Sequence, residues 1–409
     1  MKTINNKLFL CDVSAEELIK KFGSPLYVYE EDKIIEQYNK LKNAIKYPKT
    51  KIYYAAKANT NIEILKLLNN QGCCIDAVSP EEIFLSKYAG FETKNILFTG
   101  NNATPEDFKY CIKNNILVNI GSIAQIEIYG KLNPNSKISI RINPDVGAGH
   151  HDHCITGGPN SKFGIYFDKI SEIKKAVEKY NLKIIGIHQH IGSGILDTSK
   201  FLLAMDVLLS AAKEFDDLEF IDFGGGIGVP YRPEEKQLAI KEFGKAITEK
   251  FSNFCQNYGK ELYLYLEPGR FIVAEAGFLL ARIVNKKSTP KHNFVGIDTG
   301  FNHLIRPAMY GCYHSILNAS NMNTKEKEKL VVAGNVCESG DVFTQNEDGI
   351  EDRVLPKTQI GDIFAILNAG AYGFSMASNY NSRRLPAEIL VKNSNPRIIR
   401  KRQTFEDLI

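Results

Sequence analysis

The sequence predicts an α/β protein: a (β/α)8 barrel of the TIM type over residues 29–271, and a mostly antiparallel β domain built from residues 1–28 and 272–409. Three observations lead there. Between about residues 51 and 270, eight β-rich runs alternate with amphipathic stretches, the rhythm of a parallel sheet with crossover helices. Eight units over that length match a barrel, which takes roughly 250 residues. Beyond Arg270 the helical period fades, and strand-like runs follow one another with turns between them. An open doubly wound sheet is the structural alternative, and the count of eight favours the barrel.

The eight runs are KIYYAAKA (51–58), CCIDAVS (73–79), NILFTG (95–100), LVNIGS (117–122), KISIRINP (137–144), KIIGIHQHIG (183–192), FIDFGGG (220–226) and YLYLEPGR (263–270). The stretches between them are helical. In FLLAMDVLLSAAKEF, for example, Phe201, Met205, Leu208, Leu209 and Ala212 recur at helical spacing. After the eighth run, FLLARIVNKK, NFVGIDTG, KLVVAGNVCES, DIFAILNAGAY and AEILVK read as strands. The segment ending in LYVYE reads as one more strand, pairing with that second domain.

Composition narrows the function classes. At 409 residues the chain can bury a large core in two domains. A net charge of +4, from 51 basic and 47 acidic residues, is too balanced for a nucleic-acid binder and suits a site for a small dianion. Arg397, Arg400, Lys401 and Arg402 read as a solvated tail. The N-terminal stretch carries no signal-like apolar run, and nothing approaches the roughly 20 apolar residues of a membrane span. Eight scattered cysteines then imply reduced thiols and a cytoplasmic location.

A barrel gathers the C-terminal ends of its strands on one face, where barrel active sites lie. The predicted strands end in chemistry: Lys57, Asp76, Ser79, Arg141, Asn143, His190, Ser193, Gly224 to Gly226, and Glu267 to Arg270. In YYAAKAN, desolvation of Lys57 would favour the neutral amine that attacks an aldehyde; a surface lysine at a strand end is the bland alternative. In FGGGIG, bare glycines let backbone amides approach a phosphate. Val229 stands where the dinucleotide fingerprint needs glycine, so that fingerprint is absent. In EPGR, a carboxylate could keep a pyridine nitrogen protonated, or simply pair with arginine at the rim. HQHIGS, with GHHDHC (149–154), could instead be a metal site. However, a metal would leave the lysine, the glycines and EPGR unexplained, so no resident metal is expected. In the β domain, Cys337 of VCESGD can donate a proton, Arg306 of GFNHLIRPAMY can clamp a carboxylate, and AGAYGFSMASNYN is glycine-rich around Tyr372.

In order along the chain, YAAKAN, HIGS, GGGIG, EPGR, GFNHLIRPAMY, VCESGD and AGAYGFSMASNYNSRRLPAEILV resemble the fold-type III pyridoxal-5′-phosphate (PLP) decarboxylases, most closely the diaminopimelate decarboxylase family. The resemblance covers nearly the whole chain and implies an alanine-racemase-like barrel with a β domain, working as a homodimer. It implies that Lys57 carries PLP as a Schiff base, that His190 stacks on the ring, and that Ser193, Gly224, Gly225 and Gly226 hold the phosphate, with Pro268, Gly269 and Arg270 nearby. Glu267 would face the ring nitrogen. Arg270, Arg306 and Tyr310 would hold substrate carboxylates, Glu338 the distal ammonium, and Tyr372 both cofactor and substrate. Cys337 would protonate the carbanion, with Cys337 and Glu338 supplied by the neighbouring subunit. The implied reaction is decarboxylation of meso-2,6-diaminopimelate to L-lysine and CO2. HIGSGIL and SRRLPAE depart from common family patterns without touching a chemical role, and GHHDHC falls where the family has a flexible loop.

Ornithine, arginine and carboxynorspermidine decarboxylases share the fold. Arg306, Tyr310 and Glu338 together suit the carboxylate and ammonium at the far end of diaminopimelate, whereas a diamine product asks for acid alone. A racemase would need a tyrosine base and no cysteine. A non-catalytic PLP-binding barrel would lack the β domain, and a zinc hydrolase would bind metal and show no yellow chromophore.

Overall fold

The structure, a computed structural model, describes residues 1–149 and 156–409. The histidines of GHHDHC therefore lie outside the described residues. The chain forms two compact units, one of residues 37–229 and 236–271, the other of residues 1–36, 230–235 and 272–409.

The first unit is a closed parallel barrel. Its strands are β1 (Thr50–Ala55), β2 (Cys74–Ala77), β3 (Ile96–Phe98), β4 (Leu117–Ile120), β5 (Lys137–Asn143), β6 (Lys183–His188), β7 (Phe220–Asp222) and β8 (Tyr263–Leu266). They pair in the order β5-β6-β7-β8-β1-β2-β3-β4, and β4 pairs with β5 to close the ring. A two-residue strand, Ile165–Tyr166, adds beside β5. The expected barrel is thus present, with strands shorter than the β-rich runs. Lys57 lies past β1 in a 3-10 turn, Ala56–Ala58.

The reading that put His188 and His190 together on one strand needs correction, because β6 ends at His188. Gln189 N–H still donates to Asp222 O at 3.0 Å, and the chain then leaves the ladder before Ile195 N–H bonds Gly226 O.

Helices begin where the sequence supplies caps. Asn61, Ser79, Thr104, Ser122 and Asp197 each accept a backbone N–H of the helix that follows, a contact that contributes about 0.5–2 kcal/mol. Pro80 and Pro105 occupy first-turn positions, where no amide hydrogen is missed.

Inside the barrel, Tyr53, Cys74, Leu97, Ile185, Phe220 and Tyr265 form an apolar floor. The rings of Phe220 and Tyr265 stack with centroids 4.4 Å apart. Gly186 makes room for this floor: a β-carbon there would meet the Phe220 ring at 2.1 Å.

The second unit is built on a mostly antiparallel sheet. Its path runs Arg353–Pro356, Lys327–Ala333, Asn293–Ile297, Gly277–Ser288, Leu26–Glu30, Ala387–Lys392 and Asn395–Arg400, with Ile363–Ile366 and Ile316–Asn318 branching from it. The strand Leu26–Glu30, buried at all five residues, pairs antiparallel with Gly277–Ser288 and parallel with Ala387–Lys392. All of LYVYE therefore belongs to this unit, past the boundary drawn after residue 28. No helix among the described residues is long and apolar enough to cross a membrane.

Candidate active site

Side chains two apart on a strand share a face, so the residues two beyond the apolar floor also point inward. On β2 and β7 these are Asp76 and Asp222, just past β3 and β8 they are Thr99 and Glu267, and on β4 Asn119 stands two beyond the half-buried Leu117 that packs on the floor; all five polar residues are buried. A ring of hydrocarbon thus carries a ring of polar groups above it.

Hydrogen bonds tie most of these polar groups to one another or to the neighbouring backbone, while both side-chain polar atoms of Asn119 are buried without a partner. Lys57 Nζ lies 2.7 Å from Asp76 Oδ2, and Thr99 Oγ1 donates to the other oxygen of Asp76. His188 Nε2 lies 3.0 Å from Glu267 Oε2. Asp222 Oδ1 accepts Gly224 N–H at 2.8 Å. Gly225 N–H donates to His190 Nδ1 at 3.0 Å, which leaves Nε2 to carry the proton of a neutral ring. Arg141 reaches the same cluster, with Nη2 3.4 Å from His190 O and its guanidinium 4.5 Å from the Phe163 ring centroid.

Burial and mutual charge set the protonation states. Burial favours the uncharged form of Glu267, but His188, Lys57 and His190 outweigh it and lower its pKa to about 2. Burial, then the Glu267 charge, raises Asp222 well above the usual carboxylate range and raises Asp76 as well. Burial, then the Lys57 and Arg141 cations, pushes His190 well below its ordinary value. Burial likewise lowers Arg141 to about 10, against the pull of the three carboxyl groups. Lys57 and Glu267 thus lie within one charge cluster.

Beside the ring, the glycine turn leaves no space for side chains. A β-carbon on Gly224, where φ is +69°, would meet Gln189 O at 2.2 Å, and one on Gly225 would meet Glu267 O at 2.1 Å. Ser193 Oγ accepts from Arg270 Nε at 3.2 Å and Nη2 at 3.0 Å. A hydroxyl, a buried guanidinium and glycine amides are a donor set for a phosphate dianion. Pro268 O accepts Ala55 N–H at 3.2 Å, which ties EPGR to the end of β1. Glu267 Oε1 is buried without a hydrogen-bond partner. An amine, a phosphate cradle and a buried carboxylate with an open acceptor fit PLP.

In the other unit, Arg306 begins a short helix, Arg306–Tyr310, and is 1% exposed. Its Nη2 lies 3.2 Å from Cys312 Sγ, and its guanidinium stands 5.1 Å from the Tyr231 ring centroid. Cys337 and Glu338 are exposed on a loop that Asp341 secures by accepting Phe301 N–H at 2.6 Å and Val336 N–H at 2.7 Å. Cys337 N–H donates to Asn381 Oδ1 at 2.7 Å. Tyr372 and Asn381 both adopt left-handed backbone, each with φ of 55°.

Sequence reasoning named most of these side chains but gave no role to Asp76, Asp222 or Glu82, and weighed His188 only as part of a metal site. Inward parity on β2 and β7 was the available signal for Asp76 and Asp222, whereas on β6 a bulge between Ile184 and Gly186 breaks the alternation that would have pointed to His188. Glu82 accepts Val78 N–H at 2.8 Å, and burial raises it to about 7. Tyr231 gave no signal at all.

The chain matches the family of pyridoxal-dependent decarboxylases, pyridoxal binding domain, over residues 31–274. A diaminopimelate decarboxylase of Methanothermobacter thermautotrophicus is 44% identical, covering 99% of this chain and 96% of that one. The diaminopimelate decarboxylase of Escherichia coli K12 is 36% identical over 97% of this chain and 96% of its own. Among solved structures, diaminopimelate decarboxylase from M. jannaschii in complex with L-lysine superposes with a TM-score of 0.90 at 36% identity, covering 100% of this chain and 96% of that one. On its barrel, its polar ring and these relatives, the chain belongs to the diaminopimelate decarboxylase family.

Proposed function

We propose that the protein removes CO2 from meso-2,6-diaminopimelate to give L-lysine, with Lys57, Glu267 and Cys337 in the principal roles. PLP supplies an electrophilic aldehyde and a protonated ring that accepts the electron pair left by CO2. The supporting observation is the polar ring: an amine paired to Asp76 and a carboxylate held ionised by His188, within one buried charge cluster.

Each residue then has a task. Lys57 binds the cofactor aldehyde, and Asp76, whose pKa is raised first by burial, is the neighbouring group able to take the ammonium proton. Glu267 holds its negative charge for the ring nitrogen. His190, kept neutral and oriented by Gly225 N–H, offers its flat face to the ring. Ser193, Arg270 and the amides of Gly224, Gly225 and Gly226 bind the phosphate, beside Pro268 and Gly269. Arg270, Arg306 and Tyr310 receive substrate carboxylates, Glu338 receives the distal ammonium, and Tyr372 contacts both molecules. Cys337 returns a proton to the carbon that lost CO2.

We assign Cys337 and Glu338 to the active site of a second copy in a homodimer; their exposure supports this. Mixing K57A with C337A subunits should then restore activity, because a hybrid dimer has one intact site; two inactive variants that stay inactive after subunit exchange exclude sharing. The described cysteines are all free thiols, which supports a cytoplasmic setting. The deciding experiment is CO2 release from meso-diaminopimelate against ornithine, arginine and lysine. Faster release from any of those three overturns the substrate.

A further inference from the structure

Three neighbouring strands bring His188, Asp222 and Glu267 together: His188 pairs in register with Asp222, and Glu267 follows two residues after the Tyr265 partner of Asp222. One ligand atom from each lies within 4.8 Å of the others, and the residues are 1%, 0% and 4% exposed. Two carboxyl groups this close and this buried do not both ionise. The question is which one keeps the proton.

The hydrogen bonds give an answer. Glu267 Oε2 is taken by His188 Nε2 at 3.0 Å, and Asp222 Oδ1 is taken by Gly224 N–H. Asp222 Oδ2 and Glu267 Oε1 remain, both buried acceptors without a partner when both groups are written as ions. A proton on Asp222 turns its free oxygen into a donor toward the neighbouring Glu267 carboxylate, whose oxygens each accept more than one hydrogen bond, so an acceptor remains on Glu267 for a ring nitrogen. We propose that Asp222 is a neutral carboxylic acid whose O–H, together with His188 Nε2–H, aims two hydrogen bonds at Glu267 and makes Asp222 and His188 positioning residues that keep Glu267 ionised and oriented. The other titratable groups facing the cluster are Lys57, Asp76, Arg141, the neutral His190, Tyr53 and Tyr265, and the Lys57 and Arg141 cations favour the charge on Glu267. The raised pKa of Asp222, caused by burial and then Glu267, agrees with the geometry. Its effect on turnover rests on the role proposed above for Glu267; its protonation does not.

Asparagine keeps both contacts of the neutral acid, an oxygen for Gly224 N–H and a donor for Glu267; leucine keeps neither. In the holoenzyme, D222N should keep kcat within about 3-fold of wild type, whereas D222L should lose about 10- to 100-fold, the usual scale for a supporting hydrogen bond behind a reactive group. H188Q, which retains a donor, should recover most of what H188L loses. The infrared difference between wild-type and D222N holoenzyme at neutral pH should contain a protonated-carboxyl C=O stretch that shifts in D2O. The idea is overturned if D222N loses as much as D222L, or if that stretch is absent. Should D222L fail to fold, the D222N kinetics and the infrared band still decide. Full activity in E267A would instead remove the role of Glu267, leaving the infrared result to judge Asp222.

Discussion

The barrel and the β unit hold their reactive residues in different ways. In the barrel, Asp76, His188 and Glu267 stand above an apolar floor at or just past the strand ends, Lys57 joins them from the turn after β1, and each is secured by a side-chain partner. In the β unit, Cys337 and Tyr372 sit on irregular chain, held by backbone amides accepted at Asp341 and Asn381 and by left-handed residues. The barrel makes a rigid, buried electrostatic site, and the β unit offers exposed groups on secured loops. Loss of the barrel lysine should therefore cost more than loss of any single group on the loops.

Substitutions can break that contrast, and the largest effect is expected first. K57A should remove the visible absorbance of the loaded enzyme and lower kcat by about 10^4-fold or more, as loss of a covalent nucleophile does. An unchanged spectrum would move the attachment point elsewhere. C337A should keep the cofactor and its absorbance but lose about 10^2- to 10^4-fold in turnover, the scale of a positioned proton donor; near-normal turnover removes the thiol from the reaction. R306L should raise KM for diaminopimelate about 10- to 100-fold with a smaller change in kcat, since a bidentate clamp is lost. Equal losses with a substrate lacking the distal carboxylate would count against that role. N381A should cost only a few-fold in kcat, because Asp341 still secures the Cys337 loop; a loss matching C337A would show that the loop depends on this one contact.

A pH test sharpens the barrel side. Glu82 has its pKa raised by burial from 4.5 to about 7. Between those values the folded state keeps a proton that the unfolded chain has released, so stability falls as pH rises through that window. Thermal unfolding of E82Q should show a smaller decline between pH 4.5 and 7 than the wild type. An identical pH dependence in both proteins would mean that Glu82 ionises normally.

The contrast also explains what could be read from the chain alone. All eight barrel strands were visible as apolar runs, because burial on both faces leaves a strong compositional mark. Their ends were less legible. The runs continue through residues such as Ala56 and Gln189, while the ladders stop where strands diverge, which left Lys57 in a turn and His190 past β6. Lys57, Glu267 and the glycines stood out because their motifs are local. The pairing of His188 with Glu267 did not, since it depends on the ring closing between segments distant in sequence. Likewise, residues 230–235, PYRPEE, join the β unit, although their proline-rich, charged composition marks only a loop and not which unit it packs with. In that unit, side-chain chemistry made Arg306 and Cys337 candidates, but only resemblance tied them to one site, because loop positions carry no periodic signal.

Gly186 and Phe220 are direct partners across β6 and β7, and the ring of one fills the vacancy left by the other. They act as a keyed joint. Two residues further along the same ladder, and so on the same face, His188 pairs with Asp222. The stagger that lets an imidazole and a carboxyl group meet at one height is thus cut into hydrocarbon below them, and any side chain at position 186 would have to pry the two strands apart before it reached a single charge.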